Sequence, residues 1–160
     1  MTMELRQARQ LARELIDEHG LSHVEFKFSN ARSRHGQCLQ QRNWLGESVY
    51  VRISLSRYYV LMNDENDIRK TIIHEIAHAL TLGHGHDRVW QLKAMELGIS
   101  PSRTGKSNMP KGRWKGTCSI CGEVFYKHRG GKHVRNGGYR HHADGGKVAF
   151  IDTRKVLALR

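Results

Sequence analysis

The sequence predicts an α+β fold, in which a small sheet packs with a few helices and a smaller basic β module follows. Three observations carry that reading. Apolar residues recur at helical spacing in the first twenty residues and again between Asp64 and Leu82, a stretch free of Pro and Gly. Strict alternation marks two short strands, at Val24, Phe26, Phe28 and at Val49, Val51, Ile53, Leu55. The charge then changes abruptly. Residues 1–100 hold 13 Lys/Arg and 12 Asp/Glu, whereas 101–160 hold 14 against three acids, Glu123, Asp144 and Asp152.

In the first helix Leu5, Ala8, Leu11, Ala12, Leu15 and Ile16 form one face, with Thr2 as a candidate cap and Gly20 as the stop. The first strand leads into Asn30–Cys38, a polar, basic, turn-like segment. Its Arg32, Arg34 and His35 are placed to meet substrate, nucleic acid or solvent. Cys38 has no nearby cysteine and reads as a small buried residue. Trp44 and Gly46 precede the second strand, and Ser56–Leu61 reads as a short helical turn whose Tyr58 and Tyr59 are packing or surface residues.

The long helix starts at a cap on Asn63 or Asp64, with Asp64, Glu65 and Asp67 suited to its N-terminal dipole. It carries His74-Glu75-Ile76-Ala77-His78, an H-E-x-x-H motif. Helical spacing turns His74 and His78 to one side, where both imidazoles can hold one Zn²⁺. Glu75 then lies beside the water that it would deprotonate. Gly83 supplies the stop.

A hydrolytic zinc takes three protein ligands and keeps one position open. His84 has the spacing of a metzincin third ligand, but that pattern requires Gly where this chain has Thr81. His86 follows a Gly-His-Gly segment, and Glu96 would give a different ligand set from a separate helix. By spacing alone His84 and His86 stay level. A strand beside such a helix commonly forms the edge along which an extended peptide lies.

Asp87 reads as the cap of the next helix, with Trp90, Ala94 and Leu97 on one face and Gly98 at its end. From Ile99, the Pro101, Gly105, Pro110 and Gly112 breaks and the charges of Arg103, Lys106, Lys111, Arg113 and Lys115 suggest a basic linker. The division expected is 1–100, a linker at 101–115, and a module at 116–160. That module opens on Cys118-Ser119-Ile120-Cys121-Gly122, half of a four-ligand zinc site, and a closing strand is expected at Val148, Phe150 and Ile151. Lys111, Arg113, Lys115, Lys127, Arg129, Lys132, Arg135 and Arg140, interleaved with Tyr126 and Tyr139, are the candidate nucleic-acid-binding residues.

His74–His78 followed by His86-x-x-x-Trp90 resembles the catalytic segment of the SprT-like proteases, the group containing Spartan. The resemblance implies a zincin-like minimal metalloprotease domain, a small sheet plus the H-E-x-x-H helix. Alignment on Trp90 places that family's third ligand on His86, with Asp87 where Gly is usual, and leaves His84 at the rim. The family often ends in a zinc ribbon whose later half reads Tyr-x-Cys-x-x-Cys-Gly-Gly. Here Tyr139–Gly146 keeps the tyrosine and the paired glycines, while His141 and Asp144 stand in the cysteine places. A zinc-ribbon-like basic module is therefore implied, with Cys118, Cys121, His141 and Asp144 as ligands of a second zinc, and His142 or His128 as substitutes. The resemblance also implies a protein substrate bound or crosslinked to DNA.

Three cysteines and the lack of a membrane-length apolar run or signal segment favour a cytoplasmic protein over a secreted or membrane one. It would be nucleoid-associated in a bacterium, or in the host cytoplasm if phage-encoded. A basic module beside a near-neutral domain points to a polyanion, DNA first, and a monomer is expected. Two other classes compete with the DNA-directed endopeptidase. One is a nucleic-acid-binding adaptor with a structural zinc, against which the intact Glu75 argues. The other is a zinc hydrolase of small or cell-wall amides, against which the basic tail argues.

Overall fold

The computed structural model describes residues 3–102 and 108–153. It is α+β and divides into two compact units, Met1–Met109 and Pro110–Arg160. Thr2, Arg103, Gly105 and Lys106, named above as cap and linker residues, lie outside the described residues. Among the described residues no helix is long and apolar enough to cross a membrane.

The first unit opens with α1 (Leu5–Glu18), which buries Ala8, Leu11, Ala12, Leu15 and Ile16. Its N-terminus is closed by Glu4, whose backbone N–H donates to Gln7 Oε1. Gly20 follows at φ 72°, a left-handed conformation open to glycine, and turns the chain towards the sheet. Three strands follow, β1 (Glu25–Ser29), β2 (Gly36–Arg42) and β3 (Ser48–Ser56).

The strand order is β1-β3-β2, with β1 parallel and β2 antiparallel to β3. This corrects one expectation: the polar stretch ending at Cys38 runs from Gly36 into a strand rather than remaining a turn. The alternation does not say which strand is the edge, and the pairing does: β3 is central, because β1 pairs Phe26 with Ile53 on one side and β2 pairs Cys38 with Ile53 on the other. A central strand explains why Val51, Ile53 and Leu55 are all buried. The edge facing the long helix is β2.

Ser56 caps α2 (Arg57–Met62), its Oγ accepting from the Tyr59 amide. Asp64 caps α3 (Glu65–Leu80) by accepting from the Asp67 amide at 2.9 Å. Ile68, Ile72, Ile76 and Ala79 of α3 join α1 and β3 in the main core. Ala77 turns elsewhere, into a second cluster with Trp90 and Ala94 of α4 (Arg88–Glu96). The helix is thus buried on two sides, and Leu80 at its end is exposed. Asp87 caps α4 through the Val89 and Trp90 amides.

The second unit is a three-stranded antiparallel sheet, order β5-β4-β6, from β4 (Trp114–Cys118), β5 (Val124–Lys127) and β6 (Val148–Asp152), with a short helix α5 (Lys132–Arg135). The stretch read as a linker is shared between the units. Asn108 hydrogen-bonds Asn63 in the first, whereas Trp114 and Lys115 belong to β4 in the second.

Replacing Asp64 by Ala should cost about 1 kcal/mol, because one α3 amide loses its acceptor. Urea unfolding of the variant against the wild type measures it.

Candidate metal centres and their surroundings

Helix α3 presents His74 and His78 one turn apart, and the turn after it returns His86 to them. His86 Nε2 lies 3.0 Å from His74 Nε2 and 3.2 Å from His78 Nε2. Two nitrogens bound to one tetrahedral zinc at 2.0–2.1 Å would stand about 3.3 Å apart, so these separations and this donor set fit the ion. The return is fixed by Gly83 at φ 90°, by the His84 amide bonded to Thr81 O, and by the Asp87 cap. His84 stands outside the group, with Nδ1 2.9 Å from Asp87 Oδ2. Glu96 also lies outside it and pairs with Lys93.

Trp90 forms the floor. Fully buried, its ring centroid lies 4.6, 5.1 and 4.5 Å from those of His74, His78 and His86. Burial, followed by the neighbouring imidazoles, pushes His74 down to about 4, and the same causes do so for His78. Both rings are therefore neutral at pH 7 and offer lone pairs.

Glu75 is buried at 6% exposure and faces β2. Burial raises it to about 7, against the pull of a hydrogen bond from the Cys38 backbone and the Arg34 charge. The approach to β2 requires Gly36, since a Cβ there would stand 2.7 Å from Glu75 Oε1 and 3.0 Å from its Cγ. This supporting role went unread in the sequence, although an isolated glycine at a strand often marks a close approach. The Cys38 thiol is pushed up to about 12, by burial first and Glu75 second, so it stays protonated at neutral pH.

A cleft of about 960 Å³ runs over these groups between β2 and α3, lined among others by Arg34, His35, Gln40, Tyr59 and Leu82. His35 stacks on Tyr59 at 4.6 Å, and Tyr59 Oη is held by Asp67 O and Thr71 Oγ1. Arg32 instead lies over the Tyr58 ring and bonds its hydroxyl.

The second unit gathers Cys118, Cys121, His141 and Asp144, with donor atoms all within 4.8 Å of one another. Cys121 Sγ is 3.4 Å and Asp144 Oδ2 3.0 Å from His141 Nδ1. Thiolate, imidazole and carboxylate at such separations suit a tetrahedral zinc. The Ile120 amide donates to Cys118 Sγ, as a thiolate ligand requires, and Glu123 holds the opposite His141 nitrogen at 3.2 Å. Asp144 sits well below the usual carboxylate range, first through the Cys121 thiol and then through the Gly146 amide. A side chain at Gly146 would overlap Cys118 Sγ, so the second of the paired glycines is sterically required. His142 is exposed, and neither it nor His128 belongs to the group.

Of the candidate nucleic-acid-binding residues, Lys111, Lys115, Arg129, Lys132, Arg135 and Arg140 are exposed. Arg113 is half-buried beside Asp152 at 3.6 Å, and Lys127 lies over the Tyr139 ring. Tyr139 packs against Phe125 and Phe150, which makes it a support of the module rather than an open aromatic surface. Tyr126 is exposed under Lys111 and paired across the sheet with Lys115.

A family model described as the SprT-like family matches residues 5–108. No curated protein matches the chain.

The raised Glu75 makes a signed prediction for metal-stripped protein. Its contribution to stability is fully present below pH 4.5 and is lost as pH rises through about 7. Glu75→Gln should therefore gain, relative to wild type, on the order of 3 kcal/mol between pH 5 and pH 8. Urea unfolding of both proteins in chelator measures the difference, in which the shared histidines cancel.

Proposed function

The chain belongs to the SprT-like family, and on that premise we propose that it is a zinc-dependent endopeptidase acting on proteins bound or crosslinked to DNA. Its first unit is a metalloprotease-like domain. One observation carries the reading: three imidazole nitrogens converge beside a buried carboxylate in an open cleft. A purely structural metal site needs no such carboxylate.

His74, His78 and His86 would hold the ion, and Zn²⁺ there supplies a Lewis acid that polarises a peptide carbonyl and acidifies water. Glu75 takes a proton from the attacking water as its oxygen bonds to the carbonyl carbon. It then passes that proton to the amine nitrogen as the C–N bond breaks, and the carboxylate is regenerated. Gly36 and the Cys38 backbone hold Glu75 in place, while Trp90 keeps the imidazoles together and shields them from water. Cys118, Cys121, His141 and Asp144 would hold a second, structural zinc that ties the β4–β5 turn to the segment before β6.

The DNA part of the reading rests on charge. The exposed cations of the second unit, with Tyr126 among them, suit phosphates and a stacked base. Such a surface localises the protease without reading sequence.

The full chain should hold two zinc ions by elemental analysis, and His86→Ala and Cys121→Ser should each lose one, while His84→Ala keeps both. Glu75→Gln should keep both and lose proteolysis by at least about 10²-fold, the lower end of a general-base contribution. Cleavage by Glu75→Gln at the wild-type rate would sink its role as the base. DNA affinity should fall steeply with salt. Lys132→Ala with Arg135→Ala should reduce the log–log slope by about 2, as two lost phosphate contacts require. An unchanged slope would place the surface elsewhere.

A further inference from the structure

At the far end of β2 the chain exposes apolar side chains that neither core uses. Trp44 is 91% exposed, Leu45 60% and Val49 62%. Their loop is not slack. Asn43 Oδ1 accepts from the Leu45 and Glu47 amides, Asn43 Nδ2 donates to Glu47 Oε2, and the Asn43 amide donates to Glu47 O. Gly46 takes the left-handed turn at φ 82°. An indole and an isobutyl group are thus held in water by a well-bonded turn, which is characteristic of a contact surface.

The location ties this turn to the cleft. Strand β2 meets α3 at one end and the turn after it at the other: Gly36 lies against Glu75, and the Arg42 guanidinium lies against Gly83. Gln40 lines the cleft, and from there to Trp44 an extended chain covers at most about 13 Å. Leu82 joins the two regions. It lines the cleft and also a 280 Å³ hollow whose wall includes Val49, His23 and Tyr50. Strand β2 has β3 on one side and no strand partner on the other among the described residues. A polypeptide added along that open edge would run from Glu75 towards the turn.

We propose that the Val49–Leu82 hollow, together with Trp44 and Leu45 on the turn that leads into Val49, is an exosite for an aromatic or aliphatic side chain of an unfolded substrate polypeptide. The proposal rests on the endopeptidase reading and gives its substrate a class: extended protein with apolar side chains several residues from the cut bond. A nucleic acid fits less well. Leu45 and Val49 cannot stack bases, and Glu47 sets a carboxylate in the turn, while the Arg42 guanidinium that flanks it is turned to Gly83. A short peptide centred on the cut bond ends before the hollow. A long unfolded chain reaches it.

The test uses the full zinc-loaded chain carrying Glu75→Gln, so that bound polypeptide stays intact. The probe is fluorescein-labelled, reduced and carboxymethylated α-lactalbumin. Adding Trp44→Ala or Val49→Ser should weaken its binding about tenfold, with zinc content and melting temperature unchanged. Binding of unlabelled probe should shift indole emission to shorter wavelength, and Trp44→Ala should remove the shift. Unaltered affinity in both variants would overturn the exosite. So would a Trp44→Ala defect confined to a DNA oligonucleotide, or to self-association seen by light scattering. Failure of the wild-type chain to cleave any polypeptide would refute the endopeptidase reading instead, which the binding measurement does not presuppose.

Discussion

The packing of Trp90 beneath three imidazoles is the contact on which the first unit's site depends. Imidazoles at 3.0–3.2 Å are stable neighbours only while neutral, because protonating two of them would place like charges in contact. Burial is the first cause that keeps His74 and His78 uncharged, and a buried indole closes one side of the cluster to water. It also explains why α3 is buried on two sides. One side completes the main core, and the other, at Ala77, admits Trp90 closely enough for its ring to touch His74 and His78.

The two candidate metal sites use different means to bring donors together. The first relies on a helix and a capped return, with Asp87 fixing where α4 begins. The second relies on a sheet, in which β4 ends at Cys118 and a turn closed by the His141–Gly146 backbone bond presents His141 and Asp144. Each needs a glycine pressed against a functional atom, Gly36 at Glu75 and Gly146 at Cys118. Space at these points is as much a part of the chemistry as the donor atoms.

What could be read in the sequence was what is encoded locally. The Asp64 and Asp87 caps, the helical spacing of His74 and His78, and the alternation around Ile53 are short-range patterns, and they appear where they are expected. Strand β2 was invisible because its residues, GQCLQQR, do not alternate. An edge strand bordering a polar cleft has little apolar surface to bury on either face. The central place of β3 was equally hidden, since a parallel pairing of β1 with β3 across an intervening strand leaves no local mark. Spacing left His84 and His86 level, and it is the turn geometry, not the count of residues, that brings His86 beside its partners.

The contact between Gly36 and Glu75 has a kinetic consequence. The imidazoles are joined by short loops, with His86 eight residues from His78 and twelve from His74. Closing such loops costs little chain entropy, so the cluster belongs to the fast, low-contact-order part of folding. The support of Glu75 comes from residue 36, across the whole of β3 and α2, and must wait for the sheet. A nascent or partly opened chain can therefore hold its histidines in register while its carboxylate is still unaligned. Sheet formation, rather than assembly of the donor cluster, is then the step that brings Glu75 into place.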